Sequence, residues 1–369
     1  MKRSARGFTL LELMIAMALG IIVIAGILTV FAALRRVDRT ALAQAAVQNA
    51  DNAISAALDP AIRGAGFGGC STLSTAMVSD IDTTSALTNV YSTPVQGFDA
   101  TGTPGTTTGK GTSTLAIAAD NAANDASRTD WTPALDPDLP MPEPGSDVLV
   151  VGGEMPGTAP ASVNAITDGA DNFTVTDNAS ANVVATLDAE GFPAPAAISD
   201  CGKSIVFMVT GLSGSGNAVQ LTHDATGGGA DNVTPAFQAD FPVGAQFVPL
   251  QQSAFYVAQG PGGQSALYRA TVVKGKWVGQ PLVPGVETMQ VLYGVSQSGA
   301  DEWVPAGAVA NWTTVDAVRL GFLIEGGLGS NRLAAQTTFN VIGTTVTVPK
   351  DTRLRHVYVM NVYLRDASL

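Results

Sequence analysis

Residues 2–13 of the chain read KRSARGFTLLEL, and an uncharged apolar run follows them as far as Leu34. Basic residues before an apolar run are typical of the cytoplasmic start of a membrane segment. An acid inside such a run is unusual, because a charged side chain at membrane depth costs about 2.5–3.5 kcal/mol by insertion scales. The position of Glu12 therefore predicts a partner for its charge and a specific role for the residue.

The length of the apolar run distinguishes a retained membrane helix from a removable signal. A secretory signal has an apolar core of about 7–15 residues, followed by a cleavage site with small residues. Residues 13–34 come close to the roughly 20 residues that a spanning helix needs, and Arg35 and Arg36 follow directly. A plain single-pass anchor has the same length and flanks but leaves Gly7-Phe8 and Glu12 unexplained. We predict a transmembrane segment over residues 13–34, with the amino terminus in the cytoplasm.

The opening stretch resembles the class III signal of type IV prepilins. In that family an inner-membrane prepilin peptidase cuts between Gly and Phe and methylates the new amino terminus. The resemblance implies cleavage between Gly7 and Phe8, N-methylation of Phe8, and an assembly role for Glu12. Because a free α-amino group has a pKa of about 7.7–8.0, the amino terminus of a neighbouring subunit can pair with Glu12.

Composition places the rest of the chain among exported proteins. The chain has 369 residues, a net charge of −12, 40 Gly and 20 Pro, and only 14% of its residues are charged. This composition indicates a turn-rich domain dominated by β-structure. Because an acidic chain is repelled by phosphate backbones, no nucleic-acid partner is expected.

The helical pattern continues beyond the membrane segment. Residues 37–58 are rich in Ala, Gln and Leu, and the first proline of the chain is Pro60. We therefore predict a leader peptide over residues 1–7 and a stalk helix over 8–58. Residues 59–369 are predicted to form a β-rich globular domain in the periplasm or outside the cell.

Eight runs of β-branched or aromatic residues, bounded by Gly, Pro or Asn, predict β-strands. They lie at residues 148–151, 204–209, 254–257, 266–273, 289–295, 318–324, 338–348 and 356–364. The last run has apolar residues on both faces, which predicts a strand in the interior of a sheet. Residues 71–144 are predicted to be loose, with an exposed loop at 101–111. The expected fold is α+β and type IV pilin-like, with the long helix packed on a mainly antiparallel sheet.

Beyond Pro60 the chain resembles the PilW family of minor pilins. The matching segments are residues 63–70, 145–150, 286–294, 315–320 and 351–366. The resemblance implies a minor pilin that initiates type IV pilus assembly at or near the tip and supports adhesion and twitching motility. The implied partners are the prepilin peptidase, other minor pilins, the major pilin, a tip adhesin and the inner membrane. The implied locations are the inner membrane, then the periplasm, then the pilus at the cell surface.

Two alternatives to that function stay open. One is a large minor pseudopilin of a type II secretion system, similar to its J component, which uses the same kind of stalk. The other is a tip adhesin or binding module whose sheet loops contact a ligand.

Cys70 and Cys201 are the only cysteines of the chain. An even pair in an oxidising compartment predicts one disulfide, which closes a long loop and stabilises the fold by about 4–5 kcal/mol in the chain-entropy model. The alternative is two buried free thiols.

Signals for catalysis or a cofactor are weak. Residues 105–112 read GTTTGKGT, which is one residue short of a phosphate-binding loop. The only histidines, His223 and His356, are far apart in sequence and give no local support for a zinc site or a catalytic triad. The Asp- and Asn-rich loops at 120–130, 168–178 and 224–232 offer oxygen ligands for calcium but lack the EF-hand spacing. We expect no enzyme activity, cofactor or metal site.

Overall fold

The computed structural model describes residues 9–66, 77–81, 93–100, 113–117, 127–135, 137–177, 182–215, 218–225, 231–260, 262–273, 276–297, 300–327 and 336–364. Gly7, Phe8, Cys70 and the predicted loop at 101–111 lie outside these ranges.

A single helix, α1, extends from Leu10 to Arg63. At 1.5 Å per residue its 54 residues span about 80 Å. The predicted end at residue 58 is wrong, because the helix continues through Pro60. The proline lacks the N–H that would bond to the carbonyl one turn earlier, but Leu58 and Ile62 on either side of it are fully buried. Their burial against the sheet supports the last turn.

The first half of α1 is exposed and the second half is docked. From Leu10 to Leu34 the large apolar side chains are 51–76% exposed. From Ala43 onward a stripe at helical spacing packs on the sheet, namely Ala43, Val47, Ala50, Ile54, Leu58 and Ile62. Gly326 permits this close approach, since a Cβ there would lie 2.9 Å from the Cβ of Ala43.

The other described elements are twenty strands, a second helix and short 3₁₀ turns at residues 128–130, 306–308 and 312–314. The helix α2 is Val183–Glu190. The strands are β1 (Met77–Ser79), β2 (Val95–Ala100), β3 (Ser113–Ala116), β4 (Trp131–Thr132), β5 (Val148–Glu154), β6 (Ala161–Val163), β7 (Asn172–Thr176), β8 (Ala194–Ser199), β9 (Ser204–Val209), β10 (Gly211–Ser215), β11 (Ala218–Thr222), β12 (Gln246–Gln259), β13 (Ser265–Val273), β14 (Lys276–Pro284), β15 (Val286–Gln297), β16 (Ala300–Val304), β17 (Val315–Gly326), β18 (Thr338–Val341), β19 (Thr344–Thr347) and β20 (Leu354–Tyr363).

A four-stranded antiparallel sheet in the order β16-β15-β17-β20 carries the docked half of α1. The helix and this sheet share one apolar core with parts of β5, β12 and β13. Parallel pairing among the described strands is confined to β1–β9 and β19–β3. The predicted α+β fold, a long helix on a mainly antiparallel sheet, is confirmed.

The strand β12 joins this core to a second one. Its first residues, Gln246 to Pro249, pair with β8, whereas Leu250 to Phe255 pair with β5. Between β5 and β12 the chain forms a lobe, residues 161–247, which contains β6 to β11 and α2. The lobe has its own core, centred on Phe173, Phe207, Phe237 and Phe247. We call this segment the inserted lobe.

Seven of the eight predicted strands are present, and the eighth is a hairpin. Residues 338–348 form β18 and β19, joined by a turn at Ile342 and Gly343 with φ values of 43° and 108°. The prediction that the last strand is interior is wrong, because β20 is the edge strand of its sheet. The prediction of a loose segment over 71–144 is also wrong in part, since β2 is a buried strand that pairs with β5.

Candidate functional site

Glu12 lies in the first turn of α1, where it completes a capping box with Thr9. The carboxylate oxygen Oε2 accepts from the backbone N–H and the hydroxyl of Thr9, each at 3.0 Å. In return, the hydroxyl of Thr9 accepts from the backbone N–H of Glu12 at 3.3 Å. Glu12 therefore stabilises the start of its own helix. The side chain is exposed, so its charge can also reach a group on another chain.

The surface next to Glu12 is an apolar cylinder. In the part of the chain that the structure describes, α1 is the helix long and apolar enough to cross a membrane, with a mean hydropathy of 2.8 over its most apolar window. None of that window is buried against the rest of the described chain, whose β-rich part we call the head. Such a surface needs a bilayer or other apolar helices around it. Glu12 and the apolar run thus form one continuous candidate assembly surface, which precedes the docked half of the helix.

Of the other predicted sites, Gly7, Phe8 and Cys70 lie outside the described residues. Cys201 is exposed in the turn between β8 and β9 and has a φ of 66°. Asp200 holds this turn, because its Oδ1 accepts from the backbone N–H of Gly202 at 3.0 Å and of Lys203 at 2.9 Å. The structure brings Glu12 and Cys201 into no shared site.

The PilW-like segments of the sequence meet in the head. The carboxylate of Asp147 accepts from the backbone N–H of Ala100 at 2.9 Å and of Val291 at 2.8 Å. The backbone carbonyl of Gly145 accepts from the amide of Gln290 at 2.8 Å. The segment at 145–150 therefore joins β2 to β15. These contacts were not predicted, because the residues involved are far apart in sequence.

A largely buried ion-pair network joins the PilW-like segments at 286–294 and 351–366. The Arg355 side chain is 2% exposed and forms two hydrogen bonds with the carboxylate of Glu287, at 2.7 and 2.8 Å. It also bonds to Asp351 at 2.7 Å, and the neighbouring Arg353 pairs with Glu325. Hydrogen bonds and attraction to the two carboxylates raise the pKa of Arg355 despite its burial. We call these five residues the arginine network, and it connects the start of β20 to β15.

Two buried carboxyl groups lie near the ends of β2 and β5. Burial raises the pKa of Asp99 to about 6, although its carboxylate accepts from the backbone N–H of Gly307 at 2.7 Å. Burial also raises the pKa of Glu143 to about 7, and the hydroxyl of Ser265 donates to this carboxyl at 2.9 Å. Both groups therefore titrate at higher pH than a solvated acid does.

His223 is fully buried in the inserted lobe, where its Nε2 lies 2.8 Å from Oδ2 of Asp80. The hydroxyl of Thr234 donates to the same oxygen at 2.7 Å. A catalytic hydroxyl would have to contact the imidazole, whereas this one contacts the carboxylate. His223 and Thr234 therefore connect Asp80 to the inserted lobe. Within the described ranges, His, Cys, Asp and Glu side chains form no group of three that could hold a metal ion.

Comparisons with known proteins agree with this architecture. A family model described as type IV pilus-assembly protein W matches residues 254–366, which run from β12 through β20. A second model, the prokaryotic N-terminal methylation motif, matches residues 2–28. The inserted lobe lies outside both matches.

Comparison with individual proteins adds little. The solved structure of a type IV-like pilin from Thermus thermophilus is 20% identical and covers 33% of this chain and 70% of its own. Its TM-score is 0.23, which is too low to indicate a shared fold. No curated protein matches the sequence.

The prepilin motif, the long apolar helix and the antiparallel sheet on its second half make the chain similar to the type IV pilins. Among these proteins, the chain is similar over residues 254–366 to the family of type IV pilus-assembly protein W. The PilW resemblance read from the sequence is confirmed.

Proposed function

We propose that this chain initiates type IV pilus assembly and lies at or near the pilus tip, where it supports adhesion and twitching motility. The observation that carries the proposal is the combination of the PilW match with an exposed apolar half-helix that begins at Glu12. Prepilin peptidase would release residues 1–7, and Glu12 would pair with the amino terminus of a neighbouring pilin. The chain would then pass from the inner membrane into the base of a growing fibre.

Counting fibres tests initiation. A protein that starts fibres acts once per fibre, whereas a shaft subunit acts at every addition. Deleting the gene should therefore lower the number of surface fibres much more than their length, as counted by electron microscopy. Removing the retraction motor as well should restore some fibres, because slow starts are then no longer outpaced by disassembly. Normal piliation with lost protein secretion would contradict the proposal and favour the J-like pseudopilin.

A second candidate, a binding module at the tip, is favoured by the inserted lobe. The lobe has its own aromatic core, and it lies outside the region that matches the PilW model. This core is separate from the one that α1 shares with its sheet. A binding role for the lobe is compatible with an assembly role for the rest of the chain.

A further inference from the structure

A groove of about 480 Å³ lies where the end of α1 meets the sheet. One wall is the last turns of α1, with the small residues Ala56, Ala57 and Pro60. The opposite wall comes from β5, β12 and β13 and includes Glu154, Gln251 and Arg269. The groove is of the size that ligand sites usually have, and it opens beside the stalk.

Arg269 lies in this groove, and its positive charge is held by neutral acceptors in the part of the chain that the structure describes. Its Nε and Nη2 donate to the hydroxyl of Ser253 at 3.0 and 2.9 Å, and Nη2 donates to Oε1 of Gln251 at 2.9 Å. Both acceptors are neutral. Within the described residues the guanidinium forms no ion pair, and its Nη1 has no hydrogen-bond acceptor. Burial lowers the pKa of Arg269, because the partly buried site disfavours the charged form of the guanidinium.

The other charged groups that line the groove do not form an ion pair with Arg269. Arg63 is already paired with Asp59 at 2.8 Å. Glu154 forms no ion pair within the described ranges, and burial raises its pKa. The groove therefore presents a guanidinium that two neutral acceptors orient and that forms no ion pair with any described residue. A planar guanidinium with a free edge binds a carboxylate in a well-defined geometry.

We propose that this groove receives an aspartate or glutamate side chain of a neighbouring pilin subunit, whose carboxylate pairs with Arg269; the proposal rests on the function proposed above. Two features favour this occupant. The wall formed by α1 belongs to the stalk, which contacts other subunits when stalks pack together. The single negative charge of a carboxylate matches the single positive charge of Arg269, whereas a dianion such as phosphate would leave a negative charge uncompensated beside it.

The chain offers a matched set of variants. Arg269→Gln removes the charge. Gln251→Glu keeps the guanidinium of Arg269. It replaces the amide oxygen that lies 2.9 Å from Nη2 with a carboxylate oxygen, so Arg269 gains an ion-pair partner within its own chain. Arg319→Gln is the control, because Arg319 lies on β17, bonds to Asn361 and packs over Trp303 away from the groove.

The test uses the full-length protein, co-expressed with the minor pilins of the same genome and purified in detergent micelles. Wild-type protein and Arg319→Gln should capture those pilins equally. Arg269→Gln and Gln251→Glu should each capture about tenfold less, because each removes the free charge. Added salt should weaken wild-type capture but not the residual capture by these two variants. Gln251→Glu should also melt at a higher temperature, which excludes misfolding as the cause of its loss.

The possible failures are distinguishable. Equal capture by all four proteins would overturn this inference and leave the proposed function standing. No capture by the wild-type protein would overturn both. If millimolar acetate or free glutamate raised the melting temperature of the wild type but not of Arg269→Gln, while capture stayed equal, the ligand would be a small carboxylate and the docking proposal would be wrong.

Discussion

Glu12 has one carboxylate and two sets of candidate partners. In the isolated chain it caps α1 through Thr9, and an assembled fibre would offer it the amino group of another subunit. A capping contact can be replaced by solvent at a cost of about 0.5–2 kcal/mol, whereas an unpaired charge in an apolar bundle costs several. The second partner is therefore the one on which assembly should depend.

Substitutions at Glu12 and Thr9 separate these two roles. Glu12→Gln keeps an oxygen that can accept from Thr9 but removes the charge, so incorporation into fibres should fall severalfold. Thr9→Ala weakens the cap but keeps the charge, so incorporation should stay near normal. The measurement is the share of the protein found in sheared fibres rather than membranes, by immunoblot. Normal incorporation of Glu12→Gln would contradict the charge-pair account.

Glu143 gives the head a predictable dependence on pH. Its folded pKa is about 7, above the roughly 4.3 of an unfolded chain, so the folded state binds more protons between these values. The stability that this proton provides is complete below about pH 4 and is lost as the pH rises towards 7. Glu143→Gln, which is neutral at every pH, should therefore be more stable than the wild type at pH 8, by up to about 4 kcal/mol.

Thermal melts of the full chain in micelles at pH 4.5 and pH 8 check this prediction. The gap between wild type and Glu143→Gln should open only at the higher pH. Asp99, with a pKa of about 6, adds a smaller slope of the same sign that both proteins share. Parallel curves for the two proteins would show that Glu143 is not the source.

Single residues could be predicted where their partners are local. Thr9-Leu10-Leu11-Glu12 has the spacing of a capping box before an apolar run, so this contact could have been predicted from sequence. The roles of Asp147 and Arg269 could not, because their partners come from other strands. Arg269 in particular has the sequence context of an ordinary strand residue.

The arginine network stabilises the position of the edge strand β20 in its sheet. Removing one member of a buried ion pair leaves the other charge unpaired, which costs about 3–5 kcal/mol. Arg355→Met should destabilise the fold by that order, and adding Glu287→Met should restore part of the loss. Chemical denaturation measures both, with Arg319→Met as a surface control expected to change stability by less than about 1 kcal/mol. A loss of that small size for Arg355→Met would contradict this account.

The disulfide between Cys70 and Cys201 remains a prediction, and β1 supports it. The parallel pairing of β1 with β9 places Met77 beside Ser204, close in sequence to Cys201. Peptide mapping without reductant should find one linked pair, and Cys201→Ser should lower the melting temperature. Two freely alkylated thiols in native protein would disprove the bridge.

The observed helices and strands match the prediction from the sequence where an apolar pattern determines them. They differ from it where packing against other elements determines them. Both faces of β20 are apolar because α1 covers one and the β18–β19 hairpin packs near Val357 on the other. The hairpin itself was hidden by Ile342, a β-branched residue at a position with positive φ, where Asn or Gly would have signalled a turn. The buried strand β8 reads APAAIS, a sequence with low β-propensity, and only its neighbours make it a strand.

The inserted lobe leaves the sheet and returns to it at neighbouring points. Glu154 at the end of β5 pairs with Leu250 on β12. A short turn in place of residues 157–247 should therefore close a simple hairpin and leave the docking of α1 unchanged. The lobe could not be predicted as a separate core, because its strands are short and rich in small residues.

Excising the lobe tests whether it is a binding module. Strains with the shortened chain should still make fibres, while attachment to surfaces should fall towards that of a strain without fibres. Fibre counts and an attachment assay on the same cultures give the two values, and protease resistance of the membrane-bound chain controls for folding. Unchanged attachment would contradict the binding role, and lost fibres would show that the lobe is needed for assembly instead.

The bare half of α1 restricts how this protein can travel. Each large apolar side chain moved from lipid into water costs about 1.5–3 kcal/mol, so exposing the whole stretch from Leu10 to Leu34 would cost on the order of tens of kcal/mol. No thermal fluctuation supplies that amount. If the subunit leaves a bilayer for a fibre, as proposed, it therefore has no free aqueous intermediate. Lipid tails would have to be replaced directly by the apolar helices of other subunits, one turn of α1 after another.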